Sequence, residues 1–128
     1  MEKEENEKMK ALARYGKEFG GYRMIDVPKP TCGPEDIIIE IKAAAICGDM
    51  KHYKVDNGSD EFNSIRGHEF AGEIVEVGEK VTDWKVGQRV VSDNSAHVCG
   101  VCPACEQGDF LCCESKVNLG LDNNTWGG

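Results

Sequence analysis

No run of eighteen apolar residues occurs in the chain, so no segment reads as a membrane-spanning helix. The first residues also lack the apolar stretch of a secretory signal. Basic residues are in deficit, 15 against 23 acidic ones, and the net charge of −8 argues against a nucleic-acid backbone as partner. A Gly-x-Gly-x-x-Gly run is missing, and no strand–helix alternation supports a parallel sheet. The 128 residues therefore carry no dinucleotide-binding domain of their own. That length allows one domain of ordinary size. Reduced cysteines, an acidic balance and the absent leader fit the cytoplasm.

Cysteine, by contrast, is abundant and patterned. Cys99, Cys102, Cys105 and Cys113 stand two, two and seven residues apart in a stretch without helical or strand periodicity. Thiolates are preferred soft ligands for zinc, and two-residue gaps let neighbouring cysteines curl around one ion. A long loop without secondary structure is usually functional or held by something, here the ion. Two rivals fit less well. Disulfides want an oxidising compartment, and the cysteine count of seven is odd. Bacterial ferredoxins share the first two gaps but continue with three residues and Cys-Pro, whereas here Cys112 and Cys113 follow without proline. Spacing alone leaves Cys112 open as an alternative fourth ligand.

The rest of the chain predicts short strands punctuated by Gly and Pro. Residues 1–8 are nearly all charged and read as a solvated tail. Ile37, Ile39 and Ile41 alternate with Ile38, Glu40 and Lys42, the period of a half-buried strand. Further strands are expected over 71–77 and 86–91, and weaker ones over 9–13 and 22–27. Only 50–55 looks helical, with Asp49 placed to accept a bond from an early backbone N–H as its N-cap. Such an inventory predicts a mainly β fold, a small, partly open β-barrel or sandwich.

A second constellation lies mid-chain, in Cys47-Gly48-Asp49-Met50-Lys51-His52 and Gly67-His68-Glu69. Thiolate, imidazole and carboxylate or water make an open catalytic zinc environment. Each residue alone has a plainer role: a lone Cys is usually a small hydrophobe, and a lone His a hydrogen-bonded structural residue. Strand neighbours face opposite sides, so His68 and Glu69 reach one ion only if the backbone there is irregular. Gly67 permits such an irregularity.

The run Gly67-His68-Glu69-Phe70-Ala71-Gly72, followed by Gly78 and Val81, resembles the zinc signature of the medium-chain alcohol dehydrogenases. With Cys47-Gly48, His52, Gly87-Gln88-Arg89-Val90 and the four-cysteine loop, the resemblance covers the chain from about Met9 to its end. Within that family the pattern is most similar to the sorbitol and threonine dehydrogenase branch. The resemblance implies a GroES-like catalytic domain over 9–128, normally joined to a Rossmann domain that binds NAD(P). It implies Cys47, His68 and Glu69 as ligands or near-ligands of a catalytic zinc, and Cys99, Cys102, Cys105 and Cys113 as the structural zinc set. His52 stands where the family has a proton-relay residue.

Asp49 departs from the usual Ser or Thr, and either relays the proton or caps the helix. Met50 replaces the usual Asp, and the usual proline before Gly67 is missing. Trp126-Gly127-Gly128 resembles the point where relatives enter another strand. That strand, the cofactor domain and the return segment are expected beyond it, so the isolated chain is expected to be inactive. The implied full-length enzyme oxidises a small-molecule alcohol or polyol. The alternative is a stand-alone zinc-binding or interaction module without catalysis. An unpaired barrel edge would invite copies to associate as a homo-oligomer.

Overall fold

The computed structural model describes residues 7–14, 22–48, 64–120 and 127. The described chain runs through β1 (Lys8–Arg14), β2 (Tyr22–Pro28), β3 (Ile37–Ala45), β4 (Ser64–Ile65), β5 (Glu69–Val77), β6 (Arg89–Val91) and β7 (Ser95–His97). A one-turn helix α1 (Pro103–Glu106), a 3-10 turn (Phe110–Cys112) and β8 (Val117–Asn118) follow. The fold is mainly β, as the sequence predicts. Among the described residues no helix is long and apolar enough to cross a membrane. The helix expected over 50–55 lies outside the described residues, as do Asp49 and His52.

Hydrogen bonding divides the strands into three sheets, ordered β2-β1-β4, β3-β5-β6 and β7-β8. The first is antiparallel, with Met9 opposite Val27 and Ala11 opposite Ile25. These apolar pairs share one face, and with Ile65 they form a small core of Ala11, Val27 and Ile65 flanked by Met9 and Ile25. The alternate face is solvated, where Lys10 meets its cross-strand partner Asp26 at 2.7 Å. Exposed as it is, that pair contributes no more than about 1 kcal/mol. Pro28 ends β2 on an edge strand, where its missing N–H costs no ladder bond.

The second sheet carries the candidate site at one end. β3 pairs antiparallel with β5 from Ile37 opposite Val77 to Ala45 opposite Glu69. Register shifts between Ile38 and Ile39 and between Ile41 and Ala43 interrupt this ladder. Each irregularity resets the alternation, so the simple half-buried pattern read from the isoleucines does not hold. Ile41 is exposed, whereas Ile74 on β5 is fully buried and contributes roughly 1.5–3 kcal/mol.

Two expectations need correction. The strand expected over 86–91 starts at Arg89, because Gly87 adopts a φ of 89° and turns the chain. The Gly87 N–H still donates to the Ile74 carbonyl at 2.8 Å, and Ile74 N–H donates to Gln88 at 2.9 Å, so the segment stays against β5 without strand geometry. The cysteine stretch, which shows no periodicity, nevertheless contains α1. Pro103 at its first turn suits a helix start, and Cys102 is its N-cap residue. A single turn is too short for a 3.6-residue pattern to register.

Candidate metal centres

Cys99, Cys102, Cys105 and Cys113 bring their sulfurs within 4.8 Å of one another. The β7–β8 pair closes the base of this loop, and Leu119 N–H donates to the Asn94 carbonyl at 2.9 Å just beyond it. Gly100 and Gly108, at φ 75° and 79°, make the reversals that fold the intervening chain onto itself. Cys99 Sγ lies 3.7 Å from Cys113 Sγ and 4.0 Å from Cys105 Sγ. Four sulfurs at about 2.3 Å around one tetrahedral ion stand about 3.8 Å apart, so this is the spacing of a single zinc. Disulfide sulfurs would be about 2.05 Å apart, and all seven cysteines are free. Around a four-iron cluster the thiolates sit at separate irons and spread wider than this.

Cys112, the alternative fourth ligand, is exposed and stands outside the sulfur cluster. Its thiol holds its proton more firmly than usual, because the Asp109 carboxylate beside it accepts its hydrogen bond and repels the thiolate. Cys113 is the opposite case. The Cys99 N–H donates to its sulfur at 3.4 Å and holds its pKa below the ordinary thiol value despite burial, with the Ser115 N–H helping. The geometry thus brings Cys113, not Cys112, to the other three.

Burial pushes the Cys105 thiol up to about 12, and the surrounding thiols add to this as hydrogen-bond partners. Without a cation, that group stabilises the fold below the ordinary thiol pKa, and the contribution disappears as pH rises through about 12. Zinc reverses the sign, since it binds the thiolate and must displace the proton. Zinc affinity at this loop is therefore expected to rise with pH through the neutral range, with more than one proton released per ion. Calorimetry in buffers of different ionisation enthalpy measures this, and pH-independent binding would contradict it.

The second constellation also converges. Cys47 Sγ, a ring nitrogen of His68 and a carboxylate oxygen of Glu69 lie within 4.8 Å of one another. The ladder explains why. Ala45 pairs with Glu69, so Cys47, two residues past β3, and His68, one before β5, meet at the same end of the sheet. Gly67, at φ 115°, turns the chain ahead of His68, which is not yet in the strand. That is the irregularity the sequence required for His68 and Glu69 to face one point.

His68 is buried at 8% exposure, and its Nδ1 has no hydrogen-bond partner. A buried polar atom left this way is costly unless something completes it. With a thiol and a carboxylate alongside, a divalent ion coordinated by this group suits the donor set. A cavity of about 170 Å³ opens beside the site, bounded by Leu12 of β1, Ala44 and Ala45 of β3, and Cys47, Arg66 and His68. Its walls are mostly apolar, and two of the candidate ligands, Cys47 and His68, line it.

Three supports of this site carry no recognisable sequence signal. Arg66 is buried at 2% exposure; its backbone N–H donates to Leu12 at 2.8 Å and its Nη1 to the Gly120 carbonyl at 3.3 Å. Gly120 lies directly on the Gly67 backbone, leaving no room for a Cβ. Ser92, just past β6, donates from Oγ to the His68 carbonyl at 2.5 Å. Buried arginine and an isolated serine look like surface residues in a sequence, so only tertiary packing reveals them.

Residues 33–128 match the family described as the alcohol dehydrogenase GroES-like domain. The zinc-type alcohol dehydrogenase-like protein YdjL of Escherichia coli K12 is 86% identical over 121 residues, 94% of this chain and 34% of YdjL. A sorbitol dehydrogenase of Halalkalibacterium halodurans is 37% identical over 112 residues, 88% of this chain and 33% of that enzyme. Among solved structures, a cobalt- and zinc-bound thermostable alcohol dehydrogenase from Pyrobaculum aerophilum matches with a TM-score of 0.80 at 28% identity. It covers 95% of this chain and 37% of that one. The chain spans about a third of the length of the curated relatives it matches.

Proposed function

Since the chain belongs to the alcohol dehydrogenase GroES-like domain family, we propose that it is the zinc-binding catalytic part of an NAD(P)-dependent alcohol or polyol dehydrogenase. The observation that carries this reading is the convergence of Cys47, His68 and Glu69, the first two of which line an apolar-walled cavity. Cys47 and His68, with Glu69 beside them, would hold a zinc ion there, and it would supply Lewis acidity toward a substrate hydroxyl.

Cys47 and His68 act as ligands, the first as thiolate and the second through a neutral imidazole. Glu69 is more exposed and tunes the site, or takes a transient place beside the other two. Leu12, Ala44 and Ala45 give a carbon skeleton an apolar seat beside the candidate ligands. Asp49 and His52, both outside the described residues, are proposed to carry the released proton outward. Cys99, Cys102, Cys105 and Cys113 would hold a separate zinc of structural role, since four thiolates make a complete donor set without a substrate. All seven candidate zinc ligands lie within the 128 residues.

Cobalt replacing zinc makes the test optical. In the cobalt-loaded protein, a secondary alcohol or polyol at millimolar concentration is expected to shift the ligand-field bands of the site containing Cys47. His68→Ala should remove both those bands and the shift, leaving the thiolate-rich spectrum of the loop. Bands that ignore every alcohol, or that survive in His68→Ala, would overturn the proposal.

A further inference from the structure

Two successive backbone groups flanking Glu69 end on one side chain outside the metal-ligand set. Ser92 Oγ donates to the His68 carbonyl at 2.5 Å and accepts from the Phe70 N–H at 3.3 Å. Ser92 N–H in turn donates to the Phe70 carbonyl at 2.9 Å. Ser92 follows β6, whose Val91 pairs with Ala71. In a continuing antiparallel ladder, Ser92 would face Phe70, and the Phe70 N–H would meet the Ser92 backbone carbonyl. Here the hydroxyl takes that place. One half of the ladder rung is kept, the other is transferred to a side chain, and the hydroxyl proton reaches back to His68.

The consequence falls on the candidate ligands. His68 and Glu69 share one target only because the chain leaves strand geometry between Gly67 and Glu69. Gly67 makes that departure accessible but does not select it, since glycine adopts many conformations at similar cost. Ser92 selects it, by fixing the peptide units on either side of Glu69 through one oxygen. Cys47 follows β3 while the His68–Glu69 pair opens β5, so a shift of the latter would open the triangle of donor atoms.

We propose that Ser92 is a positioning residue for the metal centre of Cys47, His68 and Glu69, locking the irregular start of β5 in the conformation that aims both ligands at one ion. The inference rests on the reading of that triad as a metal site. A hydroxyl is needed rather than mere bulk, because one group must donate to a carbonyl and accept from an amide at once.

Zinc affinity of each site in Ser92→Ala, Ser92→Thr and Ser92→Val, followed by competition with a chromophoric chelator, tests this. Threonine and valine are nearly the same shape and differ by the hydroxyl. Ser92→Ala and Ser92→Val should bind the second zinc about 10- to 100-fold more weakly, the range for loss of a group that orients a ligand. Ser92→Thr should retain affinity near that of the parent, and the loop zinc should be unchanged in all three. In metal-free protein, the Phe70 amide should exchange faster in Ser92→Val than in Ser92→Thr, a readout independent of zinc. Equal second-site affinity in the threonine and valine forms would overturn the role of Ser92, as would equal weakening of both zincs. A parent protein binding zinc only at the cysteine loop would instead overturn the metal site itself.

Discussion

Cys105→Ser is expected to release one zinc per chain and to destabilise the protein by at least about 4 kcal/mol, the range in which loss of a structural metal falls. For a domain of this size that corresponds to a fall in Tm of roughly 12 °C or more. The reason is the scarcity of other support in this loop. Only Cys105 and Cys113 are buried in the stretch from β7 to the end of the 3-10 turn and its cap, while Val101, Phe110 and Leu111 are exposed. Without the ion, α1 is a four-residue helix, far below the length at which helices persist alone. Cys113→Ser should behave like Cys105→Ser. Cys112→Ser should keep zinc and Tm unchanged, since that thiol is exposed and lies outside the cluster. Metal analysis with a thermal melt of each variant decides the matter, and a Cys105→Ser protein with unaltered zinc and Tm would refute the assignment.

Gly120→Ala is the second large effect. Gly120 holds a φ of 63°, where a side chain costs about 1–2 kcal/mol. The added Cβ would also enter the Gly67 backbone. Relief by a flexible side chain is not available, because the obstacle is a peptide group at φ 115°. Overpacking of this kind costs about 1–3 kcal/mol, so the total is about 2–5 kcal/mol. The strain should be relieved by moving the 66–68 segment, which carries His68 and is tied to Gly120 through Arg66 Nη1. The expected result is a protein that keeps the loop zinc and loses the second. Binding of both zincs at the parent's affinity would show that Gly120 does not support the site.

What the sequence made legible follows from how local each signal is. The cysteines lie within fifteen positions, so their short gaps pointed to one ion but left Cys112 and Cys113 open as the fourth ligand, and the structure brings Cys113 to the other three. The isoleucines at 37, 39 and 41 marked β3 correctly, but bulges opposite β5 set the burial, and those depend on the partner strand. Cys47 and His68 are twenty-one positions apart, and no interval rule joins them; the family signature did, and the pairing of Ala45 with Glu69 supplies its physical cause. Asp49 and His52 were read from the same signature and lie outside the described residues. Ser92 and Gly120 escaped notice because each acts through a backbone contact made across the fold. Arg66 escaped because charged residues are rarely buried, so nothing marks one that is.

Counting zinc per folded chain tests the central claim most directly, namely that a reactive metal centre exists beside the structural one. The parent protein should contain two zinc ions, His68→Ala one, and His68→Ala with Cys105→Ser none. One zinc in the parent, retained in His68→Ala, would contradict the account and leave a domain with a cysteine-bound ion and no catalytic metal.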